Sequence, residues 1–154
     1  MPLQVGDHLP KIELKNSKDE TINLNALKGQ NVVLYFYPKD DTPGCTLEGQ
    51  QFSKLIKSFQ KLNTVVFGIS RDSVKSHDKF ICKYDFKIEL LSDPEEVACK
   101  IFDVIKEKNM YGKIVMGIER STFVFNEKGK LTFEFRKVKA DGHAEEILKV
   151  LKNQ

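Results

Sequence analysis

The 154-residue sequence predicts a layered α/β fold with a mixed sheet between helices, and three observations carry that prediction. Continuous runs of β-branched and aromatic residues alternate with amphipathic stretches of helical period, as strands laid between helices require. A polar-faced hairpin pattern opens the chain. A second hairpin near the end makes the sheet mixed rather than parallel. Hydrophobic residues at 40% and charged residues at 31% suit a globular chain, and the length predicts one domain over residues 1–154.

The elements follow in order. Residues 11–15 (KIELK) and 21–24 (TINL) alternate apolar and polar across the turn residues 16–19, giving the first hairpin at one side of the fold. Residues 31–37 (NVVLYFY) form a strand covered on both faces; 64–70 (TVVFGIS) form a second, and 87–91 (KIELL) a shorter third. Between the first two, residues 46–62 place Leu47, Phe52, Leu55, Ile56 and Phe59 at helical spacing. Residues 73–84 read as a second helix and 94–102 as a third, opened by Asp93 as N-cap with Pro94 in its first turn. Residues 117–125 (GIERSTFVF) form a strand, which residues 126–129 turn into its partner at 130–135. An amphipathic helix over 141–151 closes the chain. Phe80, Phe86, Phe102, Phe123, Phe125, Phe133 and Phe135 read as core.

Composition removes several functions. Lys and Arg total 25 against 22 Asp and Glu, a net charge of +3 with no basic block, so no nucleic-acid partner is expected. Charge pairs such as Asp40-Asp41 and Glu95-Glu96 read as solvated surface. No apolar run approaches the roughly 18–20 residues of a membrane span, and the opening MPLQVGDHLPKIELK lacks the form of a secretory signal. The expected location is the cytoplasm. Three cysteines, at 45, 82 and 99, argue against a secreted disulfide framework and leave a thiol free for chemistry. His8, His77 and His143 are isolated and no Cys-x-x-Cys occurs, so neither metal nor cofactor is expected.

The chemistry concentrates in the loop Tyr37-Pro38-Lys39-Asp40-Asp41-Thr42-Pro43-Gly44-Cys45-Thr46. A strand leading straight into a helix puts this loop at the carboxyl edge of the sheet, where open α/β folds carry their sites. Pro38 ends the strand because it has no N–H for the ladder. Pro43-Gly44 turns the chain, and Cys45 falls in the first helical turn, where unpaired N–H groups and the positive dipole end favour a thiolate. Structural cysteines sit inside strands and helices; this one follows a Pro-Gly turn. Thr42 directs its hydroxyl toward the same spot, and Gly44 leaves room for a small substrate to approach the sulfur.

Pro38-x-x-x-Thr42-x-x-Cys45 resembles the peroxiredoxin signature, and YFYPKDDTPGCTLE is similar to the branch called bacterioferritin comigratory protein, or peroxiredoxin Q. Gly117-Ile118-Glu119-Arg120-Ser121-Thr122-Phe123 resembles the strand on which that branch carries an active-site arginine. The opening VGDHLPKIELKN and the closing VKADGHAEEILKVL extend the likeness to nearly the whole chain. The resemblance implies a thioredoxin-like fold and a thiol peroxidase for hydrogen peroxide and organic hydroperoxides. It implies recycling by thioredoxin or a similar thiol reductant and a monomer or weak dimer. Cys45 is then the peroxidatic cysteine, oxidised to a sulfenic acid. Thr42 hydrogen-bonds thiolate and peroxide, Pro38 shields the sulfur, and Arg120 stabilises the charge. Sulfur supplies both electrons, so no cofactor is called for. Glu48, one turn beyond Cys45, either braces Arg120 or Thr42 or is an ordinary helix-surface carboxylate. Arg120 itself, taken without the resemblance, equally suits a solvent-facing strand residue.

The chain departs from the branch at Gln50, which stands where many members carry a second cysteine. Cys82, in the SHDKFICKYDF helix, resembles the resolving position of a smaller subgroup, and an external thiol is the alternative. Cys99, within EVACKIF, has the spacing of a packed core thiol. Two rival functions share the fold. A dithiol-disulfide oxidoreductase needs two cysteines in one turn, and Gly44-Cys45-Thr46-Leu47-Glu48 offers one. A binding protein switched by Cys45 oxidation is the other, and peroxide consumption discriminates between them.

Overall fold

A computed structural model describes residues 3–154. Nine strands and five helices follow in the order β1 (Glu13–Asn16), β2 (Thr21–Asn23), β3 (Asn31–Phe36), α1 (Pro43–Lys54), α2 (Ile56–Lys61), β4 (Thr64–Ser70), α3 (Val74–Tyr84), β5 (Glu89–Ser92), α4 (Val97–Ile101), β6 (Ile105–Met110), β7 (Lys113–Ile118), β8 (Ser121–Phe125), β9 (Leu131–Phe135) and α5 (His143–Lys152) among these residues. Seven strands form one sheet in the order β2-β1-β5-β4-β3-β8-β9. The centre, β5-β4-β3, is parallel, and the flanking pairs β1/β5 and β3/β8 are antiparallel. The predicted mixed sheet between helices is the architecture found.

β3 shows why two helical layers are needed. Its side chains alternate between faces. Val32, Leu34 and Phe36 enter one core with Cys99, Phe102 and Phe123, beneath α4. Val33 and Tyr35, continued by Tyr37, enter a second core with Cys45, Phe52, Phe59, Phe80 and Ile147, beneath α1, α2, α3 and α5. A strand sandwiched this way has no solvent face, which accounts for its unbroken apolar run.

Four expectations need correction. The helix over 46–62 starts earlier, at Pro43, and is two helices offset at Leu55. No proline or glycine marks the offset; it re-aims the chain so that Phe52 and Phe59 both enter the second core, with ring centroids 5.8 Å apart. The helix over 94–102 shrinks to α4. Asp93 does cap it, but from outside: its carboxylate accepts from the N–H groups of Val97 and Cys99, both at 2.8 Å, and holds residues 93–96 in a turn. The strand over 117–125 is two strands. β7 pairs with β6 in a separate hairpin, β8 joins the main sheet, and Glu119-Arg120 forms the break. The β6/β7 hairpin itself was not expected. Its signal is the Tyr111-Gly112 turn, whose Gly112 N–H donates to Asn109 Oδ1 at 3.2 Å.

Gly68, in the middle of β4, is required by close approach. A Cβ there would stand 2.7 Å from Leu90 Cδ2 and from the Tyr35 ring, both buried. Gly68→Ala is expected to destabilise the protein by about 1–3 kcal/mol through overpacking. The midpoint of urea unfolding checks this, and an unchanged midpoint counts against the packing described.

Candidate active site

Cys45 is the third residue of α1 and only 2% exposed. β3 delivers the chain to this point. Tyr37 N–H still donates to Ile69 O at 3.0 Å, and half-buried Pro38 then ends the pairing, having no N–H. Thr42 is the N-cap residue, and Pro43 opens the helix. Cys45 therefore lies in the first turn, where a helix leaves N–H groups without intrahelical partners.

Arg120 reaches the sulfur from the break between β7 and β8. Its Nη2 donates to Cys45 Sγ at 3.4 Å, and its Nη1 donates to Glu48 Oε1 at 2.6 Å. Glu48 is therefore no surface carboxylate. It is fully buried, its Oε2 has no hydrogen-bond partner, and it braces the arginine. Burial pushes the Glu48 carboxyl up to about 7, against the opposing pull of Arg120. Arg120, by contrast, is raised further above its ordinary value by Glu48 and Cys45, in spite of its own burial, and stays a cation. Tyr35 lies beneath the pair; burial first, then the Glu48 charge, keeps its phenol protonated.

Two site residues are placed differently from expectation. Thr42 Oγ1 donates to Lys39 O at 2.9 Å, so its hydrogen is committed to the loop and only its lone pairs are free. Gly44 does not leave an opening above the sulfur: a Cβ there would lie 3.1 Å from Arg120 Nη2, so the guanidinium occupies that space. Gly44 is small to admit the arginine.

Cys82 is exposed on α3, its Sγ 3.9 Å from Asp78 Oδ1, and it makes no contact with buried Cys45. Cys99 is fully buried, and burial, with Asp93 adding, drives its thiol far above the ordinary range. Gln50 is exposed on α1. His77 and His143 are buried within hydrogen-bond networks. Among the described residues no group of three or more His, Cys, Asp or Glu side chains is arranged to hold a metal, and no helix is long and apolar enough to cross a membrane.

Lys108 was missed, because its hairpin was not foreseen. Its stem lies across Gly117, and burial, then Arg120, pushes its ammonium below the usual lysine range. Asp40 was also misjudged: it is 7% exposed, not solvated surface.

A guanidinium held against a sulfur at a helix start can stabilise negative charge on that sulfur and on an oxygen brought beside it. That is the equipment of a cysteine-based redox enzyme on a mixed α/β sheet. The AhpC/TSA family model matches residues 5–134, and the chain belongs to that family and, with its relatives, to the peroxiredoxins, thiol-dependent peroxidases. Peroxiredoxin Bcp of Xanthomonas campestris pv. campestris is 54% identical over 129 residues, covering 84% of this chain and 81% of that protein. Peroxiredoxin Bcp of Bacillus subtilis is 45% identical over 153 residues, 99% of this chain and 98% of its own. A cysteine-to-serine mutant of Xylella fastidiosa PrxQ superposes with a TM-score of 0.94 at 45% identity, covering 99% and 98% of the two chains. Xanthomonas campestris bacterioferritin comigratory protein, studied for alkyl peroxide reduction in trapped intermediate and ligand complexes, superposes at 0.89 with 47% identity, covering 96% and 98%. The neighbours share the thioredoxin-like architecture.

The buried carboxyl of Glu48 gives the fold a defined pH dependence. Its folded value, about 7, lies above the ordinary 4.5, so between those values the folded protein keeps a proton that the unfolded chain releases. Stability relative to Glu48→Gln therefore rises as pH falls through about 7 and levels off near 4.5, by a total of order 3 kcal/mol. Denaturant titrations of both proteins across this range measure it; a pH-independent difference would contradict the assignment.

Proposed function

We propose that this chain reduces hydrogen peroxide and organic hydroperoxides at Cys45, with Cys82 as resolving thiol and a thioredoxin-type dithiol as the external reductant. The observation that carries the proposal is the Arg120 guanidinium, 3.4 Å from Cys45 Sγ and braced by buried Glu48. The named alkyl peroxide chemistry of the Xanthomonas campestris relative supports the substrate class.

In this mechanism the Cys45 thiolate attacks the terminal oxygen of ROOH in line with the O–O bond. Sulfur gives up two electrons and keeps the hydroxyl as a sulfenic acid, while the other oxygen leaves and is protonated to ROH. Arg120 stabilises the charge that moves from sulfur to the departing oxygen. Thr42 accepts the hydrogen bond of the hydroperoxide O–H, since Lys39 O takes its own hydrogen. Pro38, buried Tyr35 and the guanidinium that Gly44 admits keep water from the sulfur. The Cys82 thiol then displaces water from the sulfenic acid to give a Cys45–Cys82 disulfide, which the dithiol reductant reopens. Three free thiols suit a reducing cytoplasm and a role in antioxidant defence, as a monomer or weak dimer.

Cys45→Ser is expected to abolish peroxide consumption while leaving the fold intact. Arg120→Met is expected to lower the rate by ~10²–10³, the usual worth of one donor to a developing anion, and Thr42→Val by at least about tenfold. A steady-state assay with a thioredoxin system reads all three. Normal kinetics in Arg120→Met would overturn the mechanism. Peptide mapping of peroxide-treated, alkylated protein is expected to yield a linked Cys45–Cys82 pair, and a free Cys82 beside oxidised Cys45 would overturn the resolving step.

A further inference from the structure

Asp40 and Asp41 are neighbours in the loop that carries Cys45, yet they face opposite ends of the same helix. Asp40 Oδ1 accepts from the Tyr37 hydroxyl at 2.6 Å; its Oδ2 accepts from Ser76 Oγ at 2.8 Å and meets His77 Nδ1 at 2.7 Å. His77 is fully buried and places its other ring nitrogen 3.0 Å from Leu91 O, so both nitrogens are committed to acceptors. Asp41 has a left-handed backbone, φ +56°, and points the other way. Its Oδ2 accepts from Lys83 Nζ at 2.8 Å and its Oδ1 from the Tyr84 hydroxyl at 2.6 Å.

Ser76 and His77 lie in the first turn of α3, and Lys83 and Tyr84 in its last. One dipeptide thus grips both ends of the helix that bears Cys82. Between the two grips the loop-facing side of α3 stands off Asp40 and Asp41 across a groove of about 510 Å³, lined in part by Ser73, Lys79 and Phe80. Exposed Cys82 immediately precedes Lys83, at the end held by Asp41.

We infer that Asp40 and Asp41 form a two-point clamp on α3, and that the Asp41 point, which must be released, slows the approach of Cys82 to oxidised Cys45. The inference rests on Cys82 being the resolving thiol. A disulfide requires Cα atoms within about 4.4–6.8 Å, and a buried Cys45 and an outward Cys82 meet only if the chain unwinds locally at one thiol or at both; the last turn of α3 is the end that Asp41 holds. Unwinding residues 82–84 breaks both Asp41 bonds. The same turn is also held by Ile81 O, which accepts from the Asp85 and Phe86 N–H groups, and by the Tyr84 ring, 5.6 Å and 5.8 Å from the Phe80 and Phe86 rings, so the two Asp41 bonds are the share of its hold that the Cys45 loop supplies. The two points differ in strength. Asp40 and His77 are buried and bonded on every side, and losing one partner of such a pair is costly. Asp41 and Lys83 side chains are 43% and 58% exposed and exchange readily for water. The first turn of α3 therefore stays pinned while the last turn swings. The step itself is Cys45–SOH plus Cys82–SH giving the disulfide and water, with the hydroperoxide as the only oxidant.

Rapid-quench alkylation after one equivalent of hydrogen peroxide separates sulfenic acid formation from disulfide formation. Asp41→Ala is expected to speed the disulfide phase about two- to fivefold, the scale of an exposed ion pair, and, with hydrogen peroxide in excess to supply the second oxidising equivalent, to lower the yield of sulfinic acid. Sulfenic acid formation at Cys45 is expected to keep its wild-type rate. The charge swap Asp41→Lys with Lys83→Asp is expected to return the disulfide phase toward wild type. An unchanged or slower disulfide phase in Asp41→Ala overturns the clamp. Wild-type protein that consumes peroxide without forming a Cys45–Cys82 disulfide overturns the resolving assignment instead, and the clamp's role with it.

Discussion

The buried pair of Arg120 and Glu48 is the constraint around which the site is arranged. A carboxylate with no exposure and one unpartnered oxygen is a poor source of stability, because the desolvation of both ions offsets most of their attraction. What the pair supplies is geometry. Glu48 lies one turn after Cys45 on α1, so an arginine held on Glu48 is held over the sulfur as well. Several other features follow. Gly44 has no side chain because the guanidinium fills that space, and the chain breaks between β7 of the separate hairpin and β8 of the main sheet, so that Arg120 can turn inward.

The break at Glu119-Arg120 is itself secured from both sides. Glu119 N–H donates to Val104 O at 2.7 Å, and Arg120 O accepts from Val138 N–H at 3.1 Å. Residues two strands would have left unpaired are thereby satisfied, and the arginine is presented from fixed backbone. The loop of Cys45 is fixed in the same manner: Asp40 N–H donates to Asp72 Oδ2 at 2.9 Å, beside Ser70 Oγ on the same carboxylate at 2.6 Å. Sulfur and guanidinium thus hang from neighbouring points on one edge of the sheet, where Phe36 at the end of β3 pairs with Ser121 at the start of β8.

Period and run length made the central strands legible in the sequence, since strands buried on both faces leave no polar positions to confuse the pattern. Residues 64–70 match β4 at both ends. The loop before Cys45 was legible because Pro38, Pro43 and Gly44 each restrict the backbone locally. The break at Glu119-Arg120 was not, because GIERSTFVF keeps strand character throughout and the interruption comes from Val104 and Val138, far along the chain. The offset at Leu55 likewise reflects packing of Phe52 and Phe59, with no local breaker to announce it. Asp40 misled for a related reason. Two adjacent acidic residues in a polar loop suggest solvent, and only the arrival of α3 gives Asp40 its tyrosine, serine and histidine partners.

The three cysteines show how far burial alone goes in assigning chemistry. Cys45 and Cys99 are almost equally buried, at 2% and 0%. Both lie near the start of a helix on the same sheet, one on each side of it. What separates them is the sign of the nearest charge. Cys99 sits by the Asp93 carboxylate, which reinforces burial in disfavouring a thiolate and makes that sulfur a packing atom. Cys45 faces a guanidinium that a second buried group prevents from leaving. Cys82 has solvent access and neither kind of neighbour at close range beyond Asp78. A fixed cation at a buried sulfur is therefore what sets Cys45 apart from Cys82 and Cys99, and both the cation and its brace come from outside the loop signature's three fixed positions, Pro38, Thr42 and Cys45.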